Sequence, residues 1–113
     1  MIVKNEAATG KVVADGVERK ILAADGKLML VEVRFRKGAV GALHSHPHEQ
    51  VSYIISGSFE FEIDGKKEVL KTGDSYYVKP DMPHGTVALE DAVILDVFTP
   101  QREDFIPRVN AAE

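Results

Sequence analysis

Apolar and polar residues alternate along several short segments of this chain, which is the pattern of half-buried β-strands. Leu28–Phe35 alternates between an apolar and a polar face. Phe59–Ile63 alternates without exception and runs into Asp64-Gly65, a pair that favours a type I′ hairpin turn. We therefore predict a strand at each segment, with Lys66–Leu70 returning as the second strand of the hairpin. The apolar face of the first strand would carry Met29, Val31, Val33 and Phe35.

Glycine and proline interrupt the chain at short intervals, which leaves room for strands and little room for helices. Val93–Phe98 adds a β-branched apolar strand that contains a single acid, Asp96. Only Glu103–Ile106 suggests a short helical turn, and no internal repeat occurs at a fixed period. Many short strands at near-even spacing predict an all-β domain, either a closed barrel or a two-sheet sandwich.

Length and composition restrict the class of protein further. The chain of 113 residues is long enough for one domain with a modest core. A formal net charge of −4, from 18 acidic and 14 basic residues, gives no general attraction to nucleic acid. No apolar run is long enough to cross a bilayer, and residues 1–11 lack the apolar stretch of a signal peptide. We therefore expect a cytoplasmic protein without a nucleic-acid or membrane partner.

Histidine is the most informative residue type in this sequence. Because the chain has no cysteine, any metal ion must be held by histidine, carboxylate or amide ligands. The four histidines are His44, His46, His48 and His84. In an extended strand, residues two apart project from the same face, so His44 and His46 can direct two imidazoles at one ion. Taken alone, such a pair is equally compatible with a surface cluster, so the surrounding sequence has to decide.

The histidines stand inside two spaced motifs. The first, GAVGALHSHPHEQVSYIISG at residues 38–57, resembles the first motif of the cupin superfamily, with Gln50 in the usual glutamate position. The second, GDSYYVKPDMPHG at residues 73–85, resembles the second cupin motif and contains His84. Asp81 replaces a glycine of that motif, and aspartate tolerates left-handed backbone better than most residues. Together the two motif stretches contain all four histidines.

The resemblance to cupins implies an antiparallel jelly-roll β-barrel with one divalent metal ion in its lumen. We expect a single domain with an N-terminal arm at about residues 1–16, a barrel at about 17–100 and a C-terminal segment at 101–113. Nickel, zinc, iron, manganese and copper all accept ligands of this kind. Cupins of this size commonly pair, so we also expect a homodimer. By motif position, the metal ligands would be His44, His46, Gln50 and His84.

Two residues next to the first motif need separate interpretation. His48 has the right parity to continue the histidine face, but Pro47 bends the chain before it, so we expect an outer or rim position. Glu49 competes with Gln50, since a carboxylate is the better ligand by charge, but it would point to the opposite face of a regular strand. We therefore prefer Gln50. Because an amide cancels none of the ion's charge, the site favours an anionic or chelating substrate over dioxygen chemistry.

Asp96 is the main candidate for acid–base chemistry. A single acid among apolar neighbours is expensive to bury without a partner or a task. Ile94 and Phe98 share its face of the strand, so we expect Asp96 to point inward, where burial would raise its pKa. Arg102 follows shortly after and is compatible both with an anion-binding role and with a solvated surface position.

Three stretches together resemble the small cupins of pectin degradation: LHSHPHEQVSYIISGSFEFEIDG, GDSYYVKPDMPHG and ILDVFTPQREDF. That group opens the ring of unsaturated uronates released from pectin and alginate, which gives the linear keto form. The resemblance implies catalytic roles for Asp96, Phe98 and Arg102 and a small anionic sugar acid as substrate, so we expect a metal-dependent isomerase. The alternatives are another cupin enzyme, such as a dioxygenase or a lyase acting on a small organic acid, and a non-catalytic sugar-binding cupin.

Overall fold

The computed structural model describes residues 1–106, and within them the chain forms ten β-strands and two short 3₁₀ helices. The helices are Asn5–Ala7 and Glu103–Phe105, and the second one lies at the predicted helical turn. Residues 107–113 of the expected C-terminal segment lie outside the described part. No helix in the described part is long and apolar enough to cross a membrane. The strands are β1 Lys11–Ala14, β2 Val17–Asp25, β3 Leu28–Phe35, β4 Val40–His44, β5 Glu49–Ser56, β6 Ser58–Ile63, β7 Lys66–Lys71, β8 Ser75–Val78, β9 His84–Ala88 and β10 Ala92–Thr99.

The strands form two antiparallel sheets. The larger sheet has the order β1-β2-β3-β10-β5-β8, and the smaller has the order β4-β9-β6-β7. From β3 onwards the chain passes repeatedly from one sheet to the other, which is characteristic of a jelly roll. The predicted all-β architecture is therefore confirmed.

The core lies between the two sheets and is built from the predicted alternation. On β3, Met29 and Val31 are fully buried, and Val33 and Phe35 are nearly so. From the smaller sheet, the fully buried Phe59 meets Phe35 edge-on, with ring centroids 5.1 Å apart. Burial of each large apolar side chain contributes about 1.5–3 kcal/mol. The predicted apolar face of β3 is thus the face that holds the sheets together.

The hairpin between β6 and β7 also follows the prediction. Asp64 and Gly65 have φ angles of 50° and 74°, and a type I′ turn requires positive φ at both central residues. Ile63 pairs with Lys66 directly across the turn. The return strand runs to Lys71, one residue beyond the predicted end.

Candidate metal-binding active site

Three histidines converge between the sheets. One ring nitrogen from each of His44, His46 and His84 lies within 4.8 Å of the others. The ring centroids of His44 and His84 are 4.3 Å apart, because β4 and β9 pair with these two residues opposite each other. The centroids of His46 and His84 are 4.9 Å apart. Cross-strand pairing thus brings together residues that are forty positions apart in the chain.

His46 reaches the cluster from a loop, so the expectation that it shares a strand with His44 is wrong. β4 ends at His44, and the next strand begins at Glu49. Pro47 has no N–H to give to a ladder, which favours a loop here. The loop is fixed by Asp81, whose N–H donates to the His46 carbonyl at 2.7 Å. Asp81 has a φ of 64°, the left-handed conformation expected of it, and His46 is only 5% exposed.

Backbone carbonyls set the orientation of the three rings. The Nδ1 atoms of His44, His46 and His84 lie 2.8, 3.1 and 2.8 Å from the carbonyl oxygens of Ala42, His48 and Met82, respectively. Since a carbonyl can only accept, each Nδ1 carries the proton and each Nε2 keeps a lone pair. The Nε2 of His84 is buried and has no hydrogen-bond partner among residues 1–106. This is the arrangement of metal-ligating histidines, which donate the other ring N–H to a backbone carbonyl.

Gln50 supplies a fourth donor beside these rings. Its Nε2 donates to Ser52 Oγ at 2.9 Å and to Asp96 Oδ1 at 3.3 Å, so its Oε1 must face the other way. That oxygen lies 3.0 Å from the Nε2 of His46, although both atoms carry lone pairs. Two ligand atoms at right angles, each about 2.1 Å from an ion, are about 3 Å apart. The donor set therefore fits a divalent cation.

Burial favours the neutral form of His46 and His84. It is the main cause that lowers the pKa of His84 to about 4, and the neighbouring histidines and Arg102 add to this effect. The pKa of His46 is also lowered, first by burial and then by the positive charge of Arg102. Neutral rings can bind a metal ion without first losing a proton. Together with an amide oxygen they form a donor set that carries no negative charge.

Asp96 faces the same cavity from β10, together with Phe98. The hydroxyl of Ser52 donates to its Oδ1 at 2.5 Å. Burial raises the pKa of Asp96 to about 6, against the opposing effects of the hydrogen bonds from Ser52 and Gln50 and of the charge on Arg102. A carboxyl group that titrates near neutral pH can both accept and return a proton.

The cavity lined by His44, His84 and Asp96 is small, with a volume of about 160 Å³. Sites for drug-sized ligands usually measure about 300–1,000 Å³, so this one suits a small ligand. An open groove of about 660 Å³ elsewhere on the surface, beside Asp15, Arg36 and Asp91, gathers none of these groups. Polar and charged residues that line the small cavity are Arg19, His44, Gln50, Tyr76, His84, Thr86, Asp96 and Arg102.

Phe98 and Arg102 border this cavity as well. Phe98 is 2% exposed and meets His46 nearly edge-on, with centroids 5.6 Å apart. Arg102 is 8% exposed, which excludes a solvated surface position. Its Nε and Nη2 donate to the two carboxylate oxygens of Asp104 at 3.0 and 2.8 Å, and its Cζ lies 4.1 Å from the ring centroid of Phe105.

Comparison with known protein families is consistent with this fold. The sequence profile of the Cupin_2 family, described as a cupin domain, matches residues 31–98, more than half of the chain. This chain is a cupin. The cupin is 47% identical over 94 residues to the pectin degradation protein KdgF of Dickeya dadantii (strain 3937), which covers 81% of this chain and 86% of that protein.

Solved structures show the same relationship. The cupin superposes on the structure of KdgF from Halomonas sp. with a TM-score of 0.89 and 39% identity, covering 94% of this chain and 98% of that one. It is equally similar in fold to an RmlC-like cupin from Shewanella frigidimarina, with a TM-score of 0.89, 38% identity and coverage of 93% and 95%. The resemblance predicted from the sequence motifs is confirmed.

His48 and Glu49 stay outside the donor set of the cupin. Glu49 is exposed and accepts a hydrogen bond from the Tyr77 hydroxyl at 2.8 Å. His48 is half-buried, with its ring centroid 5.5 Å from that of His46, and it does not join the cluster of three ring nitrogens formed within residues 1–106. Gln50 is therefore the residue that lies beside the histidines.

Ser52 and Tyr76 are site residues that the sequence analysis missed. Ser52 is 1% exposed and links Gln50 to Asp96 by accepting from one and donating to the other. Tyr76 lies opposite Ser52 on the neighbouring strand, and burial, followed by the charge of Asp96, raises the pKa of its phenol well above the usual range. The signal was a run of polar side chains at inward positions, where apolar residues are usual.

Arg19 was missed as well. It lies on the inward face of β2, between the buried Val17 and the partly buried Ile21. Its Cζ is 3.7 Å from the ring centroid of Phe105. An arginine with apolar residues two positions away on both sides was the available signal.

Proposed function

We propose that this cupin opens the ring of 4,5-unsaturated monouronates released from pectin or alginate and yields the linear keto form. The observation that supports the proposal is the hydrogen bond between Gln50 and Asp96 in one small cavity, because the proposed acid–base residue then lies beside a proposed metal ligand. The identity to a protein named for pectin degradation supports a small sugar acid as the substrate. The enzyme would thus be a sugar-acid isomerase. A cytoplasmic location and a homodimeric state stay predictions from the sequence.

In this proposal His44, His46, Gln50 and His84 hold one divalent ion. A bound ion supplies Lewis-acid polarisation of the oxygens of the substrate. The donor set favours an anionic substrate, because neutral imidazoles and an amide leave the positive charge of the ion uncompensated.

Asp96 moves the proton. Its carboxylate accepts the proton of the anomeric hydroxyl while the bond from C1 to the ring oxygen breaks, so C1 becomes an aldehyde and the departing oxygen becomes an enolate at C5. Asp96 then returns the proton to C4, and C5 becomes a ketone. No atom is gained or lost, as an isomerisation requires. A general acid–base of this kind contributes about 10²–10⁴-fold to the rate.

Neighbouring residues prepare Asp96 and shape the substrate site. Among residues 1–106, Ser52 and Gln50 donate hydrogen bonds to the Asp96 side chain, and both bonds fall on its Oδ1. Its Oδ2 makes no hydrogen bond within residues 1–106 and is the atom we assign to proton transfer. Phe98 forms an apolar wall that limits the entry of water. Arg102 adds positive charge, which Asp104 partly compensates.

The direct test follows the ultraviolet absorbance of the C4–C5 double bond after purified, metal-loaded protein is added to unsaturated monouronate. We expect the absorbance to fall much faster than without protein, and Asp96→Asn to reduce the acceleration by about 10²-fold or more. Asp91→Asn makes the same change at an exposed carboxylate and should leave the rate unchanged.

Each proposed element can fail separately in this test. Acceleration that survives in Asp96→Asn would remove Asp96 from the mechanism. A wild-type protein that gives no acceleration with any of the five metals would overturn ring opening. Uptake of dioxygen during turnover would instead indicate an oxygenase.

A further inference from the structure

Phe105, which follows β10 in the chain, packs against two arginines at the edge of the cavity. The Cζ of Arg19 lies 3.7 Å from the ring centroid of Phe105, and the Cζ of Arg102 lies 4.1 Å from the same centroid. Phe105 in turn meets Phe98 edge-on at 5.7 Å. Both guanidinium groups therefore take their position from one aromatic ring, and both line the cavity that contains Asp96.

The two arginines differ in how their charge is balanced. Arg102 donates two hydrogen bonds to Asp104 and forms a paired salt bridge with it. Arg19 makes no hydrogen bond or salt bridge with any side chain of residues 1–106 that would neutralise it. Burial, and then the charge of Arg102, lowers the pKa of Arg19, and the negative charge of Asp104 offsets this effect only in part. Such a cation is stabilised when an anion enters.

Among the described residues that line the cavity, no other one carries a positive charge without a salt bridge. The remaining charged residue there is Asp96, which has the opposite sign. We propose that Arg19 is the residue that selects the acid form of the sugar, by binding its carboxylate in preference to the neutral ester. This inference rests on the proposed function for the class of ligand. It assigns charge recognition to β2, whereas the sequence motifs pointed to Arg102.

The test measures binding, so it does not depend on turnover. The probes are D-galacturonate, which carries a carboxylate, and its methyl ester, which is neutral, titrated into the metal-loaded protein by calorimetry or NMR. We expect Arg19→Gln to weaken galacturonate binding by about tenfold or more, since hydrogen bonds to charged groups are worth that factor. Ester binding should change less than about twofold.

Matched variants separate charge from packing. Arg19→Met keeps the packing over Phe105 but removes the charge, so it should weaken galacturonate binding as Arg19→Gln does. It replaces Arg19→Gln in the test if the glutamine variant folds poorly. Arg19→Lys restores the charge and should recover most of the galacturonate affinity. Lys20→Gln removes one charge from the opposite face of β2, where the ammonium donates to Asn5 Oδ1 at 3.0 Å, and should change neither probe's affinity.

Two results would overturn the assignment. One is a wild-type protein that does not prefer galacturonate to the ester, and the other is an Arg19→Met variant that loses affinity for both probes equally. Arg19-dependent binding of galacturonate by a protein that lacks ring-opening activity would overturn the proposed function and leave this inference standing. If the protein opens the ring rapidly and Arg19→Met keeps the wild-type preference for galacturonate, this inference is overturned and the proposed function stands.

Discussion

Gln50 joins the two halves of the candidate site, because its amide nitrogen donates to Asp96 at 3.3 Å while its amide oxygen lies 3.0 Å from His46. An amide can do both, since it has a donor and an acceptor on one planar group. A carboxylate in its place would offer acceptors only. In the proposed mechanism, the amide of Gln50 would therefore couple metal binding to the protonation state of Asp96.

Gln50→Glu should bind the metal more tightly and turn over more slowly. The new carboxylate adds a negative ligand to the ion but can no longer donate to Asp96. A second negative charge beside Asp96 also raises its pKa, so the acidic limb of the pH–rate profile should move to higher pH. Competition with a chelating dye measures the affinity, and the rate is measured from pH 5 to 8.

Glu49→Gln is the matched control for this variant. It makes the reverse change one residue away, at an exposed side chain that accepts from Tyr77. Metal affinity and the pH profile should stay as in wild type. If Glu49→Gln changes the metal affinity more than Gln50→Glu does, our choice of Gln50 as the ligand is wrong.

His84→Ala should remove metal binding to a far greater extent than His48→Ala. Loss of a partner outside the ligand set typically lowers metal affinity about 10–100-fold, and loss of a ligand should exceed that. The buried Nε2 of His84 lies in the cluster, whereas His48 stands outside it. Elemental analysis after dialysis against a weak chelator distinguishes the two. Equal metal content in the two variants would contradict the proposed ligand set.

We compare the free energy of unfolding of metal-free Asp96→Asn with that of metal-free wild type. The difference should favour the variant more strongly at neutral pH than at pH 4. The pKa of Asp96 is about 6 in the folded protein and about 3.9 in an unfolded chain. Between these values the folded state binds the proton that the unfolded state has released, so the wild type loses stability as pH rises from 4 to 6. Above pH 6 the wild type has lost all of this stability. The asparagine variant does not lose it, because its amide does not titrate.

Urea unfolding at pH 4, 5, 6 and 7 measures this effect. Comparing the two proteins at each pH cancels the titration of all other groups. A difference in unfolding free energy that stays constant from pH 4 to 7 would show that Asp96 titrates normally.

Gly85→Ala should destabilise the protein by about 1–3 kcal/mol, as overpacking does, and also weaken metal binding. A Cβ at Gly85 would lie 3.0 Å from the backbone N and Cα of Leu43, on the strand that carries His44. The two strands would have to separate, which would pull His84 away from His44. In Gly10→Ala, the three atoms nearest the Cβ all belong to the flexible side chain of Glu18, so metal affinity should be unchanged. Wild-type affinity in Gly85→Ala would show that this close approach does not position the histidines.

The strands and the motif histidines could be predicted because their signals are local. The alternation in Leu28–Phe35 and the Asp64-Gly65 turn depend on neighbouring residues only, and both match the structure. Spacing within a motif likewise led to Gln50 rather than Glu49. The inward direction expected of Asp96 followed from the apolar residues two positions away.

The remaining features depend on contacts between distant segments. Periodicity could not show that Asp81 would anchor the loop of His46, since that hydrogen bond joins the two motifs. Nor could it show that Phe105 would meet Arg19, which lies on the second strand. Arginine at an inward position was visible in the sequence, but its significance depends on the cavity it faces.

Phe105 lies beyond the last strand. Changes to the cavity wall at this position can therefore arise separately from changes to the proposed metal ligands. The proposed metal ligands belong to the barrel and its internal loop, whereas part of the cavity wall belongs to a short stretch outside both sheets. Replacing that stretch with the corresponding residues of another cupin would alter ligand preference while the metal chemistry is retained. Residues 100–106 can therefore be varied without changing the strands that carry the proposed metal ligands.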